Sequence, residues 1–244
     1  SPDGFFERAV ENNLFLRFPL YFIDENEFIY APNLPRSPVH EKKLMLLDLA
    51  SGQERLFTDF SEANTQGGEP SGGPMLMIPS LTPQVRLAYH RGKMAFGRSD
   101  QYKIYVADQA GKILSFFSLD RKRKTASLDD KRLLLADIKI PEEQKTKIIA
   151  QLPGEMTYFS RLDIIDGFIY VFAVTDPGPK ANSQQIDIFS EKGEYLYRGQ
   201  MKFNDHLKFT GHANLVIKGG FAYVILENDQ GRRTLAKYRI MLPK

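Results

Sequence analysis

The chain has 244 residues, enough for one large β domain or two small ones, and its net charge of +3 is too mild to predict a nucleic-acid or membrane partner by itself. It contains no cysteine, which excludes disulfides, thiolate metal sites and cysteine nucleophiles. Hydrophobic residues make up 42% and charged residues 26%, the balance of an ordinary globular chain, and no apolar run approaches the length of a membrane span.

The opening Ser1-Pro2-Asp3-Gly4 has no signal-peptide pattern and reads as a turn leading into a strand over residues 5–10, so the chain is expected to start inside a repeat. The first full unit spans about 14–60. Its strands are Phe18 to Ile23, Glu27 to Ala31, Lys43 to Leu49 and Arg55 to Phe60. Pro32, Pro35 and Pro38 forbid a central strand in the loop before Lys43. Residues 61–84 are rich in Gly, Pro and Ser and read as a long loop. The second unit, about 85–119, has strands Val85 to His90, Lys93 to Gly97, Tyr102 to Ala107 and Lys112 to Leu119.

Residues 120–156 interrupt the pattern. Arg121-Lys122-Arg123-Lys124 is a basic run, Leu133-Leu134-Leu135 is ambiguous between helix and strand, and about 141–151 reads as one short helix. That helix has Pro141 at its first turn, Glu142 and Glu143 at its positive end, and Pro153-Gly154 as its stop. The unit over 157–203 is the most complete. Phe159 to Ile165 turns at Asp166-Gly167 into Phe168 to Val174, and Gln185 to Ser190 turns at Glu191-Lys192-Gly193 into Glu194 to Phe203. The last unit, about 207–242, has strands His212 to Ile217, Phe221 to Glu227 and Thr234 to Met241, and lacks a fourth strand.

Four units of short antiparallel strands at a period near 40–50 residues predict an all-β fold, a β-propeller of four-stranded blades with one helical insertion, as a single domain over 1–244. The strand at 5–10 either closes the last blade or ends one that lies upstream. The patterns "IDIFSEKGEYL", "DGFIYV" and "GFAYVILENDQGRRTLAKYRI", with the helical insertion before the penultimate blade, resemble bacterial six-bladed β-propellers of the NHL-like and TolB-like kind. The chain shows about four of six blades. The resemblance implies an exported, periplasmic or cell-surface protein, and another chain completing the propeller is one way to supply the remainder.

Strand direction locates the site. If successive strands are a, b, c and d, the a–b and c–d turns are tight, whereas the long insertions (32–42, 61–84, 120–156 and 175–184) are b–c or d–a connections at the opposite end. Binding sites are commonly built from such loops on a rigid frame. The ligand-binding candidates at the channel mouth are Arg86, Tyr89, His90, Arg161 and His212, with Arg17, Asp163 and His206 beside them. Converging arginines and histidines suit an anionic or polar ligand. The competing reading has them pairing backbone groups and bridging blades.

No catalytic residue is assigned. A G-x-S-x-G motif is missing, and Gly67-Gly68 and Gly72-Gly73 lie outside any strand–loop–helix phosphate cradle. No cofactor is predicted, with a divalent cation in the central channel kept open; its candidate ligands Asp24, His90, Asp163 and His212 have no spacing that groups them. The basic run at 121–124 reads as a solvated loop rather than a nucleic-acid surface, since interleaved aromatics are lacking. The expectation is a non-catalytic module presenting a loop-rich face to a protein, glycan or small ligand. The alternatives are a metal-dependent propeller lactonase or hydrolase, and an RNA-binding NHL-like module.

Overall fold

The computed structural model describes residues 20–30, 43–59, 78, 80–136, 138–175, 183–203, 207–209 and 215–241. The expected strand at 5–10, and Arg17, His206 and His212, lie outside them. The chain divides into two compact units, Ser1–Gly72 and Gly73–Lys244.

The first unit holds one antiparallel meander of β1 (Leu20–Phe22), β2 (Glu27–Tyr30), β3 (Lys43–Asp48) and β4 (Glu54–Asp59), in that order. Phe28, Tyr30 and Leu47 are buried together on it.

The second unit repeats the meander. β5 (Val85–His90), β6 (Lys93–Arg98), β7 (Lys103–Asp108) and β8 (Ile113–Ser118) form one sheet. β9 (Phe159–Ile165), β10 (Phe168–Ala173), β11 (Ser183–Ser190) and β12 (Tyr195–Lys202) form the next. In the last sheet, β15 (Phe221–Asn228) pairs with β16 (Arg233–Arg239) on one side and with both β14 (Leu215–Lys218) and β13 (Leu207–Phe209) on the other. Of the predicted inner strand from His212 to Ile217, the described part is β14, which meets Phe221–Val224, while β13, before the predicted start, meets Leu226–Asn228.

The repeat is enforced locally at the turns. A short polar side chain at the end of one strand accepts backbone N–H bonds from the turn that follows. Asp48 Oδ1 accepts from Ala50 and Ser51, and Asp108 Oδ1 from Ala110 and Lys112. Ser190 Oγ accepts from Lys192 and Glu194, and Asn228 Oδ1 from Gln230 and Arg232. Each such turn includes a glycine at positive φ: Gly52, Gly111, Gly193 and Gly231. The Asp48 turn bonds hold its carboxyl below the ordinary value of 3.8.

Sheets with two apolar faces must pack on neighbours. The face of β9–β11 carrying Phe159, Leu162, Val171 and Phe189 packs on Ala88, Ile104, Val106 and Phe117 of the preceding sheet. The opposite face, with Phe172, Ile186 and Ile188, packs on Leu215, Ala222 and Val224 of the following one. The rings of Phe117 and Phe189 lie 4.2 Å apart. The result is an all-β, β-propeller-like architecture of blade-type sheets, as the sequence predicts.

The interruption holds two helices, not one. α1 (Leu128–Leu134) precedes α2 (Glu142–Gln151). Ser127 closes a capping box with Asp130, and the ambiguous leucines form the last turn of α1, with Leu135 buried as its C-cap. Leu135, Leu152, Met156, Ala126, Ile78 and Leu81 make a satellite core.

Candidate functional site: a cationic cleft over a buried carboxylate

The site begins with an anomaly in β11. Ile186 and Ile188 point toward the last sheet, so Asp187 and Phe189 face the sheet of β5–β8. Asp187 is fully buried there beside aromatic rings. A carboxylate at such a position needs charged and hydrogen-bonding partners. It has them from three directions. Tyr102, just before β7, donates its hydroxyl to Oδ2 at 2.6 Å. Arg198, the direct cross-strand neighbour on β12, donates Nε and Nη2 at 2.8 and 2.9 Å. Arg121, in the connection after β8, donates Nη1 at 2.8 Å.

Two guanidiniums therefore share one carboxylate, and the cluster carries an excess positive charge. Among the described residues, each guanidinium has two of its five N–H donors engaged, Arg121 through Asp187 and Tyr195, Arg198 through Asp187 alone. Burial works against the charge on Arg121, but Asp187 and Tyr102 outweigh it and raise its pKa above the ordinary arginine value. Burial pushes the Tyr102 hydroxyl well up, with Asp187 adding to the effect, so Tyr102 stays a proton donor.

Above the cluster lies a cleft of about 460 Å³. Its walls include Arg121, Lys122, Lys124 and Arg198, the rings of Tyr102 and Tyr158, and the neutral polar side chains of Thr157, Thr175, Ser183, Gln185 and Gln200. Among the described lining residues none is acidic. The basic run is held at both ends. The Tyr158 hydroxyl donates to the Arg121 carbonyl at 2.7 Å, and the Met156 N–H donates to the Lys124 carbonyl at 2.8 Å. Arg123 turns aside to pair with Glu155. The run is a loop with Lys122 and Lys124 exposed, as expected, and its backbone is bonded at both ends. The cleft opens where β9 and β11 start and β10 and β12 end, the end of the sheets that bears the long connections.

The described residues of the sequence-predicted set, Arg86, Tyr89, His90 and Arg161, lie outside the cleft lining. Arg86 is near the loop-bearing end of β5 and is half-buried. Tyr89 and His90 close the other end of that strand, paired with Met94 and Lys93 across the tight turn. At ~3.3 Å per residue, His90 is roughly 13 Å along the strand from Arg86. Arg161 is committed to its own surroundings. It holds Asp163 with two bonds of 2.8 and 2.6 Å, donates to the Leu215 carbonyl at 2.7 Å, and lies over Phe172. It thereby ties one inner strand to the next. Burial pushes the Asp163 carboxyl up, with Arg161 opposing. Among the described residues, no three metal-ligating side chains converge. Asp24 Oδ1 accepts from the Asn26 and Glu27 amides of its own turn.

The residues that sequence reasoning missed are Tyr102, Asp187 and Arg198. The available signal was a single aspartate amid Ile186, Ile188 and Phe189, because a charge in the middle of a buried strand demands partners.

The fold and cleft together define a β-propeller-like protein with a cationic, hydrogen-bonding groove on its loop-bearing end. No protein-family model matches the chain, and no curated protein does. Among solved structures, it is similar to a member of the DUF4221 family from Bacteroides vulgatus, at 9% identity and a TM-score of 0.47, covering 89% of this chain and 62% of that one. It is also similar to Hsv2 of Kluyvelomyces marxianus, at 11% identity and a TM-score of 0.31, covering 89% of this chain and 49% of that one. The chain therefore spans under two thirds of the length of either structure.

Proposed function

We propose that this chain is a non-catalytic binding module from an exported six-bladed propeller of the NHL-like or TolB-like kind, and that its ligand enters the cleft between Arg121 and Arg198. The observation that carries the reading is the surplus of positive charge, with Arg121, Lys122 and Arg198 lining the cleft beside the buried carboxylate of Asp187. Preorganised guanidinium donors favour an anionic ligand group, since little ordering cost remains on binding. The metal-dependent alternative requires open carboxylate and imidazole ligands, whereas Arg161 engages both oxygens of Asp163. The RNA-binding alternative requires open aromatic faces, whereas Arg121 covers the Tyr102 ring.

The test is fluorescence anisotropy with labelled tetraglutamate, a probe of anion binding alone, at low and moderate salt. Lys122→Glu/Lys124→Glu should weaken binding tenfold or more. Lys112→Glu/Lys192→Glu, which changes exposed lysines at the tight-turn end, should leave it within twofold. Equal loss in both variants would mean nonspecific attraction and would refute the cleft as the site.

A further inference from the structure

Resting on the binding reading above, we infer that the cleft's ligand is an acidic saccharide: a sugar of about one or two rings whose carboxylate or sulfate sits on Arg121 and Arg198 while its hydroxyls meet the neutral polar wall.

Three features of the cleft favour that chemistry over other anions. The first is the clamp itself. Asp187 fixes both arginines from below, leaving planar N–H donors suited to the paired oxygens of a carboxylate or sulfate. The second is the remainder of the lining. Thr175, Ser183, Gln185 and Gln200 supply hydroxyls and amides, which both donate and accept. Ser183 and Gln200 already bond each other at 3.1 Å across β11 and β12, which holds them in place at the rim. A simple anion, with acceptors only, uses the donors of such a wall and leaves its acceptors unmatched. A sugar does, because each of its hydroxyls is both donor and acceptor. The third is the state of the aromatic rings. The Arg121 guanidinium lies over Tyr102 at 5.5 Å, and Tyr158 meets Tyr102 edge-on at 5.7 Å while its hydroxyl is bound to the Arg121 carbonyl. Neither ring is set out as a platform for a nucleobase. The volume, about 460 Å³, is at the scale of small-ligand clefts.

The experiment is isothermal titration calorimetry of the full chain against five probes: a di-uronate, a singly sulfated disaccharide, their uncharged parent disaccharide, tetraglutamate and inorganic phosphate. The acidic sugars should bind at least tenfold more tightly than the other three, and whichever of the two is tighter identifies the anionic group. Gln185→Ala/Gln200→Ala should weaken the acidic sugar about tenfold and leave tetraglutamate unchanged. Lys122→Glu/Lys124→Glu should weaken both. These substitutions lie on exposed side chains, so circular dichroism should show the fold retained. Equal affinity for the uncharged disaccharide would overturn the clamp's role in sugar binding. Equal affinity for tetraglutamate or phosphate would overturn the saccharide assignment while leaving the anion-binding module intact. Binding of none of the five would remove both readings.

Discussion

Replacing Asp187 by asparagine tests the centre of the cleft most directly. The change keeps the shape of the side chain and removes its charge. One oxygen becomes an N–H₂ group, a donor facing donors. Four hydrogen bonds of 2.6 to 2.9 Å end on the carboxylate, which is itself fully buried. Stripping one partner from a fully buried ion pair costs about 3–5 kcal/mol. Here water reaches the arginines, whose side chains are 27% and 37% exposed, so solvent screening brings the cost to the bottom of that range or just below it. The expected loss is about 2–3 kcal/mol, or roughly 5–10 °C in Tm. Because the chain divides into two compact units, a global melt would blend two transitions. Hydrogen exchange of the β11 and β12 amides, followed across a urea series, isolates the relevant one. In an Arg198→Met background the same substitution should cost about 1–2 kcal/mol less, the coupling expected of residues in one network. A loss below about 0.5 kcal/mol, or no coupling to Arg198, would refute the network as a stabilising element. Tetraglutamate affinity supplies a second, independent sign. Asp187→Asn raises the local positive charge by one, so attraction by charge alone predicts tighter binding. If the arginines must be held in place, binding weakens instead, and that is the expected result.

Two further outcomes follow from the packing and the electrostatics. Gly193→Ala should cost about 2–3 kcal/mol, since φ is +87° and an added Cβ would lie 2.7 Å from Phe117 Cδ1; Gly167→Ala, at φ +83° with open space around it, should cost only about 1 kcal/mol. Comparable losses in urea unfolding would show that the turn does not pack on the neighbouring sheet. For Asp163 the folded pKa lies above the ordinary 3.8, so the folded chain holds this proton to higher pH than the unfolded chain. Its contribution is complete below 3.8 and is lost as pH rises through the folded value. The stability of the wild type relative to Asp163→Asn should therefore fall from acid pH upward, and a pH-independent difference in urea midpoints would contradict the raised pKa.

Strands were legible wherever a turn announced them. Asp166-Gly167, Arg91-Gly92 and Glu191-Lys192-Gly193 bracket β-branched and aromatic runs, and β5 and β9 have the bounds read from sequence. The first helix was hidden because its signal was the pairing of Ser127 with Asp130, while its leucines fit either period. Tyr89 and His90 close β5 beside the tight turn, so they lie at the opposite end of the strand from the loop-bearing end. The cleft was illegible for a different reason. Tyr102, Arg121 and Arg198 lie 85, 66 and 11 positions from Asp187, and only the packing of one sheet on the next brings the first two to it. Local pattern reports that a buried aspartate needs partners; it carries no information on which distant side chains arrive.

The pinch beneath the helical pair has a consequence for how this protein tolerates change. The Ala126 N–H donates to the Gly154 carbonyl, the Met156 N–H donates to the Lys124 carbonyl, and Thr125 bridges Glu155. The chain thus leaves and re-enters the sheet framework at adjoining points. Whatever length of chain lies beyond the pinch, the entropy of closing it changes only with the logarithm of that length. The excursion through α1 and α2 is therefore a graft on a stem. Evolution or an engineer can lengthen it, shorten it or exchange it while Arg121 and Tyr158 keep their places, provided that the replacement covers Ile78 and Leu81. Variation between chains of this architecture would then concentrate on the stem's far side and leave the groove floor unchanged.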